Sequence, residues 1–227
     1  MSIEKSRMKE IGKEVNKILL SGNLADVLPI DVFGLLGAFS ETIKYVPYNL
    51  YAKGYGLSSE QVGNFFGTEY GFASYDPLDD RYIIAYNDAH NLATVRWTLA
   101  HELGHIVLGH LADPNYTFRT HNRGGSIYEQ EANFFAKCLL VPFQILDVFH
   151  KDYRVDTGVI MHVFDLNRAP AQYILNHYSK LQYYFKGDEI KHKFYMAALE
   201  HMDFFNYYDG MLYSDIFNFS NREMCSG

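Results

Sequence analysis

Three histidines and one glutamate crowd into "HELGHIVLGH", residues 101–110, inside a stretch that otherwise reads as an apolar helix. Within it, His101-Glu102-Leu103-Gly104-His105 matches H-E-x-x-H. On a helix, positions i and i+4 share one face about a turn apart, so both imidazoles reach a single ion. Glu102 follows the first ligand directly, where it is placed to take a proton from water rather than to bind the ion. Zinc suits the chemistry, because it lowers the pKa of its water toward ~7.

Such a centre needs a third protein ligand and one open position. The extension H-E-x-x-H-x-x-G-x-x-H fails, since Leu108 and Leu111 occupy its Gly and final His slots. The third ligand is therefore expected from another element, and "SIYEQEANFFAKCLLVP" offers Glu129 and Glu131. Glu129 is preferred, with Glu131 the alternative. Asn133 lies one turn beyond Glu129 on the same face, placed to hydrogen-bond a ligand imidazole. Glu131 points about 160° away around the helix, so the two carboxylates cannot both face the ion. His110 reads as a helix-end residue favoured by the dipole. His121 is a weaker oxyanion candidate, Tyr116 and Tyr128 carry no clear role, and Arg96 reads equally as a site partner or a surface ion pair. Gly104 costs ~1 kcal/mol against Ala in a helix interior, which points to close backbone approach there.

The elements that must position these groups follow from local pattern. Asn91 or Thr94 caps a helix running to about Gly109, and a second helix runs from near Ser126 to Leu140, stopped by Val141-Pro142. Upstream, Ile11, Val15, Ile18 and Leu19 make an amphipathic helix within Ile3 to Leu20. Asp31 to Tyr45 reads as a helix before a turn at Pro47. Ser58 to Gln61 is a capping box opening a short helix. Tyr70 to Tyr75 and Arg81 to Tyr86 read as β, and Arg81 to Tyr86 is expected to offer a sheet edge to which an extended peptide can add its backbone. Helices follow at Phe143 to His150, Thr157 to Phe164 and Pro170 to Tyr184, and the tail from Lys186 is aromatic and acidic with weak periodicity.

"RWTLAHELGHIVLGH" followed by "YEQEANFFAKCLLVP" resembles the ImmA/IrrE family of metallopeptidases. That family shows an Arg-Phe-Thr-x-Ala-His-Glu-x-Gly-His helix, then a Glu-x-Glu-Ala-Asn-x-Phe-Ala helix ending in Leu-Leu-x-Pro. Tyr86-Asn87 and "VIMHVFDLNRAPAQYILNHY" are similar as well, so the resemblance spans roughly Ser74 to Tyr178. Trp97 stands where Phe is usual and Val141 where Met is usual. The resemblance implies a zinc-dependent endopeptidase with a gluzincin-like ligand set, often acting on separate helix-turn-helix repressors in mobile elements or stress responses.

The expected fold class is α+β, mostly helical with a small sheet: a minimal zincin-like core plus a C-terminal helical and aromatic appendage. Residues 1–185 form the expected peptidase domain, with a core of about 70–150 and a helical segment at 155–185; residues 186–227 form the extension. The 227 residues carry a net charge of -7, which disfavours direct nucleic-acid binding and suits a basic protein partner such as a DNA-binding repressor. Two cysteines make no disulfide framework, and the charged N-terminus lacks the apolar stretch of a secretory signal. A cytoplasmic protein with no membrane segment is expected. Two other classes compete with the enzyme: a zinc-fold regulator that sequesters a partner without cutting it, and a protein whose metal only braces two helices.

Overall fold

The computed structural model describes residues 3–21, 24–113, 126–152, 155–181 and 188–207. The order begins with helices α1 (Lys5–Leu19) and α2 (Val32–Ala38), strand β1 (Ile43–Pro47), and helices α3 (Tyr48–Tyr55) and α4 (Ser59–Phe66). Strands β2 (Gly71–Asp76) and β3 (Arg81–Tyr86) follow, then α5 (Leu92–Val107) and a short 3-10 turn at His110–Ala112. The chain ends with α6 (Ile127–Leu140), α7 (Phe143–Asp152), α8 (Thr157–Phe164), α9 (Arg168–Leu181) and α10 (Asp188–Tyr207). This is an α+β fold, mostly helical, around a small mixed sheet.

The sheet order is β1-β3-β2, with β1 parallel and β2 antiparallel to β3. Side chains alternate across it, as a strand period of two requires. Ala73 and Ile84, which face each other in register, enter the main core, whereas the paired Phe72 and Ala85 pack on Tyr48, Ala52 and Val62 from α3 and α4. Helices thus cover both faces. Two expectations fail here. The segment read as a helix from Asp31 to Tyr45 ends at Ala38, and Ile43–Pro47 becomes β1. Its pairing partner β3 lies some forty residues away, beyond the reach of any local pattern. The strand Arg81 to Tyr86, read as a free edge for substrate, is instead central and hydrogen-bonded on both sides.

Caps act where the sequence placed them. Asn91 accepts from Thr94 N at 2.8 Å, Ser126 accepts from Glu129 N at 3.2 Å, and Ser58 with Gln61 forms the reciprocal box. Helix α5 stops at Gly109, whose φ of +74° is open to glycine at little cost. The main core forms where α5 and α6 pack on each other, with α1 against α6 and the sheet against α5. Leu99, Leu103, Phe135 and Leu139 are wholly buried there. Each such side chain contributes ~1.5–3 kcal/mol relative to exposure. A Cβ on Gly104 would stand 3.0–3.2 Å from three atoms of Phe135, so the two helices approach as closely as that glycine allows.

Helix α10 takes up residues read as weakly periodic. Ile190, Phe194, Ala197, Ala198 and Met202 follow a helical stripe, are buried in the main core, and bring α10 against α7. Among the described residues no single helix is long and apolar enough to cross a membrane. The α6–α7 pair passes by length and composition only jointly, across a 48° bend, and supplies core residues throughout.

Candidate metal centre

Helix α5 presents His101 and His105 one turn apart, and α6 brings Glu129 opposite them. The two Nε2 atoms are 3.1 Å apart. Glu129 Oε2 lies 3.3 Å from His101 Nε2, and Oε1 lies 3.2 Å from His105 Nε2. Ligand atoms at tetrahedral corners around an ion with bonds of ~2.0–2.1 Å stand ~3.3–3.4 Å apart. Two imidazole nitrogens and a carboxylate at nearly that spacing fit a zinc-like cation as a donor set. These three residues are the group of potential ligands found among the described residues.

The protons around His105 can be assigned from the outside inward. Glu131 Oε2 accepts from Arg7 Nε at 3.0 Å and Nη2 at 2.7 Å. Burial pushes this carboxyl up, but the hydrogen bonds and charges of Arg7 and His110 outweigh it and hold it below its ordinary value. An ionised carboxylate only accepts, so His110 Nε2, 3.1 Å away, carries a hydrogen. Burial lowers the His110 pKa to about 4, leaving the ring neutral and Nδ1 an acceptor. His105 Nδ1, 3.0 Å from it, therefore donates. Burial also lowers the pKa of His105, so its remaining nitrogen, Nε2, turns a lone pair toward His101 and Glu129. The chain Arg7–Glu131–His110–His105 sets the tautomer that a metal ligand needs.

His110 does lie at the helix end, but the dipole is not what holds it there. It is 3% exposed and bonded to both His105 and Glu131, because the turn after Gly109 folds it back beneath α5. Glu131, the alternative ligand, faces Arg7 and His110 on the other side of α6 from Glu129, as their angular separation requires. Arg96 is neither a surface ion pair nor a site residue: it is buried, donates to the carbonyls of Ile30, Phe164 and Asp165, and pairs with the Asp165 carboxylate. Asn133 lines the cavity beside Glu129. Tyr128 donates to Asp113 at 2.8 Å. His121 and Tyr116 lie outside the described residues.

Arg7 was not singled out by the sequence, and only its position in an amphipathic helix hinted at contact with the core. Lys137, four residues beyond Asn133, shares its helix face with Glu129 and Asn133, a spacing that the sequence carries.

A cavity of about 710 Å³ opens over the cluster, with His101, Glu102 and Glu129 in its wall. Glu102 is 2% exposed. Its charge, after burial itself, raises the pKa of the fully buried Tyr48, whose hydroxyl donates to Thr68 O at 3.3 Å. Thr68, Tyr70 and Gly71, which lead into edge strand β2, form another part of the wall.

With this geometry in view, comparison with known proteins gives the class. The family model of the IrrE N-terminal-like domain matches residues 53–176, more than half of the chain. The chain belongs to this ImmA/IrrE peptidase family. The match reaches back to Lys53 and so takes in α4 and the whole of β2. A search of curated proteins finds no match to the chain.

Proposed function

We propose that this protein is a zinc-dependent endopeptidase that cuts a separate regulatory protein. The observation that carries the reading is the convergence of His101, His105 and Glu129 at 3.1–3.3 Å beside the buried Glu102, in the wall of an open cavity. His101 and His105 would hold the ion through Nε2 and Glu129 through its carboxylate. Zinc, when bound, acidifies a water molecule toward a pKa of ~7 and polarises the substrate carbonyl.

Glu102 accepts a proton from the attacking water on its carboxylate and delivers it to the leaving amine nitrogen, so the proton count closes over one hydrolysis. His110 and Glu131 keep His105 in the Nε2 lone-pair tautomer throughout. An extended substrate segment lies along the edge of β2, which leads directly to the cavity wall, and not along β3. Asn133 sits beside the ligand carboxylate and orders groups at that end of the cavity.

Membership of the ImmA/IrrE family supports a helix-turn-helix repressor as substrate, with a role in transcription regulation on a mobile element and a cytoplasmic site of action. The acidic balance of the chain suits a basic partner. The test is incubation of the zinc-loaded protein with purified helix-turn-helix repressors. Cleavage by wild type should disappear in Glu102→Gln while about one zinc per chain is retained. Cleavage that survives Glu102→Gln, or a wild type that binds no zinc, overturns the reading. Zinc binding and partner capture without any cleavage would instead favour the sequestering regulator.

A further inference from the structure

Beyond Glu129 and Asn133, the cavity-facing side of α6 continues to Lys137, at the i, i+4, i+8 positions of one stripe. Lys137 is half-buried, and its Nζ lies 3.6 Å from the centre of the Tyr173 ring on α9. Burial lowers the amine's pKa to about 8. No carboxylate among the described residues pairs with it, although every other lysine or arginine bonded inside the fold meets a carboxylate or a carbonyl. Among the described residues, the remaining charged side chains of the cavity wall are Glu102 and Glu129, already committed to proton transfer and to the ion.

A desolvated cation without an anion is costly, and the ring of Tyr173 offsets only part of that cost. The arrangement makes sense when something anionic arrives. Among the described residues of the wall the other charges are negative, so Lys137 is the place there where an acidic group is welcomed rather than repelled. Eight helical residues separate it from Glu129, about 12 Å along the axis. An extended peptide covers that distance in roughly three to four residues.

We propose that Lys137, held against Tyr173, is a specificity-determining residue that receives a carboxylate of the substrate roughly three to four residues from the cleaved bond. The carboxylate comes from an aspartate or glutamate side chain or from a chain end. The inference rests on the peptidase reading for its substrate, but its test does not depend on turnover. It adds a local demand for acid to a partner that is basic overall.

The experiment measures binding to the full-length, zinc-loaded Glu102→Gln protein, which holds peptides without cutting them. Three fluorescent octapeptide pools of matched degenerate sequence serve as probes. One contains an internal glutamate and an amidated end, one an internal glutamine and an amidated end, and one an internal glutamine and a free carboxyl end. A carboxylate-bearing pool should bind about tenfold more tightly than the neutral pool, as a charge-assisted contact in a half-buried site implies. Preference for the internal glutamate assigns the side chain; preference for the free acid assigns the chain end. Adding Lys137→Gln should remove the preference, and Lys137→Arg should keep most of it, with zinc content unchanged in both. Equal binding of all three pools, or a preference that persists in Lys137→Gln, overturns the proposal. Cleavage of helix-turn-helix proteins by wild type is scored separately, so absence of any cleavage with an intact acid preference would sink the peptidase reading and leave this subsite standing.

Discussion

Replacing His110 with phenylalanine separates the proton chain from the packing around it. The ring volume is nearly kept, but two hydrogen bonds go: the 3.0 Å contact to His105 Nδ1 and the 3.1 Å contact to Glu131. A neutral bond contributes ~1 kcal/mol and one to a carboxylate ~1.5–3. Much of this is recovered in the metal-free protein. Glu131 keeps Arg7, and His105 can shift its hydrogen to Nε2 and donate to Glu129 at 3.2 Å. The metal-free fold should therefore lose only about 1–2 kcal/mol, a few degrees of melting temperature. The shift that rescues the fold blocks the atom that would bind the ion. Zinc affinity should consequently fall ~10- to 100-fold, the usual cost of losing a partner behind a metal ligand. Competition against a chromophoric chelator reads the affinity, and thermal unfolding without metal reads the fold. An affinity within about twofold of wild type, beside a clearly lowered melting temperature, would show that the chain only packs the core and does not set the tautomer.

Two further perturbations test the scaffold. Gly104→Val places atoms where a Cβ already meets Phe135 at 3.0 Å, so overpacking of ~1–3 kcal/mol should outweigh any gain in helix propensity; denaturant titration measures it, and Phe135→Leu in the same chain should restore part of the loss. The pKa of His162 on α8 is lowered by burial first and then by the charge of His201. A depressed histidine leaves the unfolded chain binding more protons once pH falls below ~6.5, so stability declines from there toward the folded pKa and levels off beneath it. Melting temperatures between pH 7.5 and 5 should fall less steeply in His162→Phe than in wild type, and parallel curves would exclude this histidine as a source of the slope.

Local sequence reaches as far as one helical turn. His101 and His105 share a face because the α-helix repeats every 3.6 residues, whatever surrounds it. Asn91, Ser58 and Ser126 cap because their side chains satisfy backbone N–H groups within three residues. The same angular argument separated Glu129 from Glu131 on α6. Which of them meets the imidazoles depends on how α6 is rotated against α5, and the seating of Phe135 on Gly104 sets that contact. The order β1-β3-β2, the recruitment of Arg7 and His110 behind His105, and the stacking of Lys137 on Tyr173 join residues from distant parts of the chain. No periodicity encodes such pairs. They exist because a close-packed core brings separate helices to one place, where a buried polar group must find a partner.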